Sequence, residues 1–418
     1  MDHTVYWLWL SLSVTPGTKT FANLYAHTPD PKGMFCLDEE TVRRLCGTNK
    51  SDAARILMHD LGAAERLLSF CEKKGIGLLP YDAEDFPPLL RNIECPPVLL
   101  YFRGRMPRLA ASFPCAVIGA RELSDYGRKS AFYISLDLAR AGATVVSGMA
   151  RGIDGVALAA ACAAGQPCVA VLGNGIDICY PKEHLTLARA IVACGAVVTE
   201  YPPGTPAYPG NFPVRNRLIS GMSAAVAVVE GREGSGSLIT AECALRQGRT
   251  LYALPGNVDE ETSAATSQLL KSGARAMTSA DDIIRDFEFV YTGILNPYRL
   301  NEPVSLRPNE VLRTYGVGQK KKKERHVRPS SPDRGDGVTD DASFAAELSV
   351  GEEEKQAARA SLTEAQRKLY ERIPEDDSLD VEELLDVGMP MPAVMRELLR
   401  LELLRLVELL PGERVKRK

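Results

Sequence analysis

Short apolar stretches alternate with helical patterns between Pro114 and Asp286, and this alternation constrains the fold more than any other feature of the chain. The stretches that predict strands are CAVIGA, ATVVSG, PCVAVLG, GAVVTEY, AAVAVVE and TLYALPG. Their consecutive apolar residues are typical of strands that are buried on both faces of a parallel sheet. Amphipathic segments such as YGRKSAFYISLDLARAG lie between the strands and can cover the two faces. The sequence therefore predicts an α/β fold with a doubly wound parallel sheet.

Three further regions accompany this sheet. Residues 1–74 contain the helical patterns YWLWLSL, DEETVRRL and a long one that starts at SDAARIL and stops at Gly75, so they predict a small helical domain. The run ECPPVLLYFRG predicts an extended strand that leads into the sheet, and the sheet domain is assigned to residues 75–290. Residues 300–360 combine QKKKKER with an acidic stretch and predict a disordered charged linker.

Residues 361–418 predict a winged-helix-like domain. Three helical patterns begin at LTEAQRKLYERI and are followed by LRLVELL–PGE–RVKRK, which predicts a two-stranded hairpin. The segment holds 10 Lys and Arg residues against 13 Asp and Glu residues, a net charge of −3. This charge leaves contact with another protein open beside binding in a DNA groove.

The formal net charge of the 418-residue chain is −4, so a site for an anion must come from local geometry rather than from bulk charge. The ten cysteines include no Cys-X-X-Cys pair and none at a zinc-like spacing from a histidine, which predicts reduced structural thiols and no metal site. The chain has no apolar run of the roughly 18–20 residues that span a bilayer, and its N-terminus lacks the basic region of a signal peptide. We expect a cytoplasmic protein without membrane contact.

Glycine-rich loops follow four of the predicted strands, at the edge of the sheet where α/β proteins bind ligands. The loops carry Arg121, Arg151, Lys182 (after Tyr180-Pro181) and the run Gly234, Ser235, Gly236 and Ser237, which opens a helix. Glycines let backbone N–H groups approach a phosphate, and a helix N-terminus favours negative charge. Ser237 is the predicted N-cap of that helix. Any one loop could be a tight turn, but four on one edge predict an anion site.

The most informative stretch is YPPGTPAYPGNFPVRNRLISGMS, which lies between the fourth and fifth predicted strands. It places Arg215, Asn216 and Arg217 at the start of a short helix, where guanidinium groups suit phosphates and an asparagine can bond a sugar or base edge. Phe212 could stack on a base. The alternative is that the arginines tie this loop to nearby carboxylates such as Glu200.

The same edge offers little for catalysis. The sequence contains no nucleophile elbow, metal cluster, serine–histidine pairing, Walker lysine or G-x-G-x-x-G after the first strand. Asp154, Asp177, Glu230 and Glu242 lie near strand ends, where they can orient arginines and cap loops or act as acids and bases on a nucleotide. We expect a protein that is not an enzyme and that needs no cofactor.

Four motifs carry a resemblance to a known family. SGMARGIDGVA, VLGNGIDICYPKEH, EYPPGTPAYPGNFPVRNRLISGMS and GSGSLITAECALRQGRTLYALPG, in this order, resemble the DNA-processing protein family DprA/Smf, strongly over residues 75–285. The resemblance implies an extended Rossmann-like fold that binds single-stranded DNA, usually as a homodimer, and delivers it to the RecA recombinase in DNA uptake and recombination. It also implies that residues 1–74 are similar to a sterile-alpha-motif or helix-hairpin-helix domain.

The family's DNA-binding pocket, carried over to this sequence, includes Arg121, Arg151, Lys182, Arg215, Arg217 and the run Gly234 to Ser237. In the N-terminal segment, Pro16-Gly17-Thr18-Lys19 stands where the family pattern has a Pro-Gly-Ile-Gly hairpin, so contact of that segment with DNA is not expected from the resemblance. The chain departs from the family pattern at three further places. Leu158 stands where a histidine is usual, His184 where an asparagine is usual, and Ala265-Thr266-Ser267 where a Gly-Thr-Asn triplet is usual. The arginines of the pattern are unchanged, so we expect DNA binding to be retained.

Two other classes of function remain open at this point. The nucleoside-monophosphate phosphoribohydrolases share a glycine-rich loop followed by a glutamate, which Gly234-Ser235-Gly236-Ser237 and Glu242 resemble loosely. In the second alternative, the protein is an adaptor whose winged-helix-like tail binds a partner. Release of a free base from a nucleotide would support the first alternative.

Overall fold

The structure is a computed structural model that describes residues 3–301, 305–318, 362–374, 379–380, 406–410 and 414–417, and the single residues 384, 394, 398 and 401. Contacts divide the chain into two compact units. The larger unit comprises Thr15–Ala22 and Leu68–Val338, and the other comprises Met1–Val14, Asn23–Leu67 and Thr339–Lys418. The larger unit carries the sheet.

Six helices precede the sheet in the chain. They are α1 (His3–Ser13), α2 (Thr20–His27), α3 (Pro31–Phe35), α4 (Glu39–Cys46), α5 (Lys50–Leu57) and α6 (Gly62–Lys73). Trp7, Leu8 and Leu10 of α1 are completely buried, which explains the apolar YWLWLSL pattern. The long helical pattern predicted from SDAARIL to Gly75 is two helices, because the chain breaks helical geometry between α5 and α6, where His59 takes a positive φ of 48°. Gly75, at a φ of 60°, ends this region as predicted.

A nine-stranded sheet forms the centre of the larger unit. Its strands are β1 (Gly77–Pro80), β2 (Leu99–Gly104), β3 (Phe113–Ile118), β4 (Ala143–Ser147), β5 (Cys168–Val171), β6 (Ala196–Thr199), β7 (Ala225–Val228), β8 (Thr250–Ala253) and β9 (Arg275–Ala276). Their order is β1-β2-β6-β5-β4-β3-β7-β8-β9. Neighbours from β6 to β9 pair in parallel, whereas β2 is antiparallel to both β6 and β1. The predicted parallel core is confirmed, and two antiparallel strands at one edge make the sheet mixed.

Helices connect the strands and cover the sheet. They are α7 (Pro88–Arg91), α8 (Asp125–Arg140), α9 (Ile153–Ala163), α10 (Leu185–Cys194), α11 (Asn211–Gly221), α12 (Gly236–Arg246), α13 (Ala264–Lys271) and α14 (Ala280–Phe287). Every residue of β3 to β6 is buried, as is every residue of β7. These strands are apolar throughout because both of their faces meet helices rather than water.

The strand order reverses between β3 and β7. From β3 the chain proceeds outward through β4 and β5 to β6, then returns through α11 to β7 on the other side of β3 and proceeds outward again to β8 and β9. The loops that leave β3 and β7 therefore diverge and open a crevice at the carboxyl edge of the sheet. Open α/β sheets bind their ligands at such a topological switch point.

Residues 305–318 correct the predicted start of the disordered linker at residue 300. A helix, α15 (Pro308–Thr314), occupies this segment, with Val311, Leu312 and Val317 buried. Proline at the first helical position and three apolar side chains explain why the segment is ordered despite its charge. The lysine-rich remainder of the predicted linker lies outside the described residues.

The described part of the C-terminal region contains α16 (Glu364–Arg372) and the strands β10 (Leu379–Asp380), β11 (Val407–Leu410) and β12 (Arg414–Arg417). The strands form an antiparallel sheet in the order β10-β12-β11, so the predicted hairpin is present as β11 and β12. Leu369, Ile373, Leu401 and Val415 belong to one buried apolar cluster here. Most of the second and third helices predicted for a winged-helix-like domain lie outside the described residues.

Within those residues, no helix is both long enough and apolar enough to cross a membrane.

Candidate nucleic-acid interface

A cavity of about 420 Å³ opens at the switch point of the sheet. It is lined by residues 118–122 after β3, by Ala150 and Asp154 after β4, by residues on and before α11, and by residues 232–237 and the first turn of α12. Eight of the eleven residues predicted for the site line it: Arg121, Phe212, Arg215, Asn216, Gly234, Ser235, Gly236 and Ser237. Arg151, Lys182 and Arg217 do not.

Close backbone approach holds the loops of this edge together. Gly152 has a φ of +81°, and a Cβ atom there would lie 2.1 Å from the carbonyl oxygen of Ala120 in the loop after β3. The buried Glu230 at the end of β7 accepts hydrogen bonds from the backbone N–H of Ser124 (3.1 Å) and from its hydroxyl group. The interpretation of Glu230 as a loop-capping carboxylate is confirmed, and it fixes the loop after β3 against the loop after β7.

Arg215 lies under the cavity as a buried cation. One nitrogen, Nη1, donates to the carbonyl oxygens of Gly148 (2.9 Å) and Val171, and Nε donates to the Asn216 side chain (3.2 Å). Burial lowers the pKa of Arg215 to about 10, an effect that the Asp154 carboxylate opposes, so the guanidinium stays charged at neutral pH. Asp154 is itself buried, which raises its pKa while Arg215 counteracts the rise. Arg215 therefore contributes positive electrostatic potential to the cavity from below. Its buried guanidinium group is less suited than an exposed one to contact a ligand directly.

Phe212 stands above this cation in the wall of the cavity. The guanidinium carbon atoms of Arg121 and Arg215 lie 5.5 Å and 5.8 Å from the centroid of its ring, within cation–π range. Gly173 allows the ring to pack closely, because a Cβ there would lie 3.0 Å from Phe212. The ring of Tyr180 lies beside that of Phe212, with centroids 5.4 Å apart. Arg121, unlike Arg215, is exposed and can reach a ligand.

The N-terminus of α12 forms the opposite wall. Ser235 is the N-cap residue, which corrects the predicted N-cap at Ser237, and the two hydroxyl oxygens lie 2.6 Å apart. The first N–H groups of a helix have no partner within the helix, so this end favours an anion. Asn216 connects this wall to α11 because its side-chain amide donates to the carbonyl oxygen of Gly236 (3.3 Å).

Arg217 lies apart from the cavity that the other residues of this stretch line. Its side chain is 11% exposed, and its Nη2 atom lies 2.5 Å from the Glu200 carboxylate, whose side chain is 4% exposed. Residues two apart on a helix point in nearly opposite directions, so Arg215 and Arg217 cannot both face one cavity. The alternative interpretation, that an arginine ties this segment to Glu200, holds for Arg217.

Arg151 and Lys182 lie on the same edge of the sheet, outside the cavity. Arg151 follows β4, is exposed, and its Nε donates to Glu183 at 2.5 Å. Lys182 follows β5 and begins a short 3₁₀ turn. Because β5, β4, β3 and β7 are adjacent, the loops that carry Lys182, Arg151, Arg121 and the start of α12 follow one another along this edge.

Sequence reasoning missed Arg232, which lines the cavity beside Glu122 and Glu233. Its Nη2 atom lies 3.5 Å from Glu122 and its Nε atom 3.8 Å from Glu261, all three groups being exposed. Its position within the loop Gly231-Arg232-Glu233-Gly234 was the available signal. The lining therefore includes three arginines and three acids, so its side chains are balanced in formal charge, and the helix N-terminus is the remaining feature that favours an anion.

The departures from the family pattern are accommodated by packing. His184 is 1% exposed, its Nδ1 lies 3.0 Å from the carbonyl oxygen of Met149, and burial lowers its pKa. Leu158 is fully buried in α9, and Ala265 donates its N–H to the carbonyl oxygen of Gly231 (2.9 Å). None of these residues lines the cavity.

The fold and the cavity define a Rossmann-like domain with an open crevice at its switch point. The family model described as DNA recombination-mediator protein A matches residues 77–288, and the chain belongs to this family. It is 39% identical to protein Smf of Escherichia coli over 252 residues, 60% of this chain and 67% of the relative. It is 36% identical to the DNA processing protein DprA of Bacillus subtilis over 221 residues, 53% of this chain and 74% of the relative.

A solved structure supports the fold. The X-ray structure of DNA processing protein A (DprA) from Streptococcus pneumoniae superposes with a TM-score of 0.59 and 30% sequence identity, covering 69% of this chain and 100% of that chain. The resemblance inferred from the four motifs is therefore confirmed, together with the α/β fold class.

Proposed function

We propose that this protein binds single-stranded DNA along the carboxyl edge of its sheet. Membership in the DNA recombination-mediator protein A family supports the proposal. The observation that carries it is the arrangement of Phe212 beside two guanidinium groups, across the cavity from the N-terminus of α12. An aromatic face that can stack on a base, next to groups that bind phosphate, is the combination by which proteins hold single strands.

The dimensions of the edge favour one strand over a duplex. A cavity of about 420 Å³ is of the size that holds one small organic ligand, such as a nucleotide. Four adjacent strands span about 14 Å at the usual strand spacing, so the loops from Lys182 to α12 form a short track. Arg121 and the N–H groups of α12 would hold phosphates, and Arg215 would support them electrostatically from below. Binding of this kind depends little on sequence and strongly on salt.

We further propose, from the family, that the protein acts as a cytoplasmic homodimer and delivers the bound strand to the RecA recombinase. Sedimentation of the full chain tests the dimer, and assembly of RecA on a strand coated with single-strand-binding protein tests delivery. A monomeric protein, or RecA assembly that this protein does not accelerate, would contradict these two steps without affecting the DNA-binding proposal.

Fluorescence anisotropy tests DNA binding with a labelled strand, alone or annealed to its complement, over a salt series. Arg121→Ala removes an exposed cation that lines the cavity. Its matched control is Arg108→Ala, since Arg108 is exposed and precedes β3, whereas the cavity lies beyond the carboxyl end of that strand. We expect tight single-strand binding whose salt slope decreases in magnitude by about 0.7 in Arg121→Ala, the value for one lost phosphate contact. Equal binding by both variants and the wild type would refute the assignment of the cavity.

The enzymatic alternative has less support. Glu242, the glutamate that suggested it, is exposed on α12, lies 3.7 Å from Arg246 and does not line the cavity. Incubation with nucleoside monophosphates tests this alternative directly. Release of free base would establish it and would overturn the expectation that the protein is not an enzyme.

A further inference from the structure

Three of the ten cysteines converge on one point. The sulfur atoms of Cys162 and Cys168 are 3.7 Å apart, those of Cys162 and Cys194 are 3.6 Å apart, and those of Cys168 and Cys194 are 4.0 Å apart. Among the residues that the structure describes, they are the one group of three metal-ligating side chains found at such short mutual distances. Because the sequence contains no Cys-X-X-Cys pair and no zinc-like spacing of cysteine and histidine, it predicted reduced structural thiols and no metal site.

The topology of the sheet explains the convergence. Cys168 is the first residue of β5, Cys162 lies in the last turn of α9, which leads into β5, and Cys194 is the last residue of α10, which leads into β6. In a parallel sheet, the connecting helices run back and end where the next strands begin. Since β5 and β6 are neighbours, the three residues meet at the amino edge, opposite the edge that carries the cavity.

The distances match those of thiolates on a tetrahedral metal ion. Zinc–sulfur bonds of about 2.3 Å with tetrahedral angles place sulfur atoms about 3.8 Å apart. We propose that Cys162, Cys168 and Cys194 bind a soft thiophilic metal ion, Zn²⁺, through their three thiolates. A soft thiolate set selects Zn²⁺ or Cu(I) over Mg²⁺ or Ca²⁺. The divalent ion leaves less uncompensated negative charge in this partly buried place, which favours Zn²⁺ over Cu(I).

The surroundings of the cluster allow metal entry and proton release. Cys168 is fully buried, whereas Cys162 and Cys194 are partly exposed and leave a path from solvent. The thiols release their protons to solvent when the ion binds.

Zinc titration of the reduced, chelator-treated full chain tests the proposal. A chromophoric chelator competes for the ion, and Cys162→Ser and Cys194→Ser are compared with Cys95→Ser, a partly buried cysteine outside the cluster. We expect one Zn²⁺ per chain in the wild type and in Cys95→Ser, with binding weakened by more than about ten-fold in the two cluster variants. Circular dichroism confirms that each variant is folded.

Cobalt supplies a readout that does not depend on any variant. Co²⁺ in a thiolate site produces a sulfur-to-metal charge-transfer band, and Zn²⁺ added to the wild type should abolish it. Equal zinc binding in all four proteins would place the metal elsewhere and overturn the proposal. Absence of metal binding in the wild type would mean that the three thiols only pack together and would overturn the proposal. Binding of Cu(I) but not of Zn²⁺ would overturn the choice of Zn²⁺. The cluster lies away from the cavity, so the DNA affinity of the cluster variants should equal that of the wild type.

Discussion

Replacing Arg217 by methionine would distinguish a structural arginine from a DNA-binding one. The change keeps the apolar stem of the side chain and removes the guanidinium, whose Nη2 atom lies 2.5 Å from Oε2 of Glu200. The Glu200 side chain is 4% exposed, so its carboxylate would then be buried without a partner. Loss of one member of a buried ion pair costs about 3–5 kcal/mol of unfolding free energy, because the remaining charge is buried and uncompensated.

The surroundings of the pair place the expected cost at the lower end of this range. Nε and Nη1 of Arg217 and Oε1 of Glu200 have no hydrogen-bond partner among the described residues, so the native pair is incompletely satisfied. We therefore expect Arg217→Met to lower the unfolding free energy by about 3 kcal/mol. The double variant Arg217→Met with Glu200→Leu replaces both charges by apolar groups and should recover most of the loss.

The cost should also depend on pH. Burial raises the pKa of Glu200, and Arg217 is the group that opposes this rise. Without Arg217, the folded pKa lies further above the unfolded value, so stability is lost as pH rises through the interval between them. The destabilisation is therefore expected to be larger at about pH 8 than at about pH 5.

Urea unfolding of the full chain, followed by far-ultraviolet circular dichroism, measures these differences. Single-strand affinity is measured separately under conditions where the variant remains folded and is expected to change little. A variant that is as stable as the wild type but has lost DNA binding would refute the reasoning, since it would show that Arg217 contacts DNA rather than Glu200.

Three further predictions concern the cavity and its surroundings. Phe212→Ala should weaken single-strand binding by about 1–3 kcal/mol through loss of stacking, whereas Phe212→Tyr should bind nearly as the wild type does in the same anisotropy assay. Binding by the alanine variant that equals that of the wild type would exclude stacking. Glu122→Gln removes the acid that lies 3.5 Å from Arg232 and should strengthen DNA binding, most at low salt; weaker binding would mean that Glu122 positions Arg232 for the ligand. His184 is buried and its pKa is lowered, so the unfolded chain binds more protons than the folded one and stability should decrease as pH falls below about 6.5. His184→Gln should reduce this pH dependence of thermal unfolding, and an unchanged pH profile would contradict the prediction.

Local patterns in the sequence were sufficient to predict the strands of the parallel core of the sheet. The stretches CAVIGA and AAVAVVE became β3 and β7, because consecutive apolar residues of this length suit strands buried on both faces. The positions of β1 and β2 at one edge, antiparallel to the rest, were not predictable in this way. Which strand pairs with β6 depends on contacts between segments that are distant in the chain.

For the candidate site, too, some features were predictable from local sequence and others depended on tertiary contacts. The glycine loops and the arginines were visible as residue types at strand ends, and the motifs identified the family. Burial decided their roles: Arg215 lies under Phe212, and Arg217 pairs with Glu200 on the other side of α11. The helical period predicts that two such residues diverge, but it does not say which of them faces the cavity.

The sequence by itself determined the class of fold, the edge of the sheet where the candidate site lies and the family, because each depends on patterns within one segment or on the order of segments. The tertiary structure decided which charges are exposed and which are paired. It also brought Cys162, Cys168 and Cys194 together, although 26 residues separate the last two. The local sequence does not predict such a cluster, because its members lie at the ends of two helices and at the start of a strand. These positions come together only when the sheet has formed.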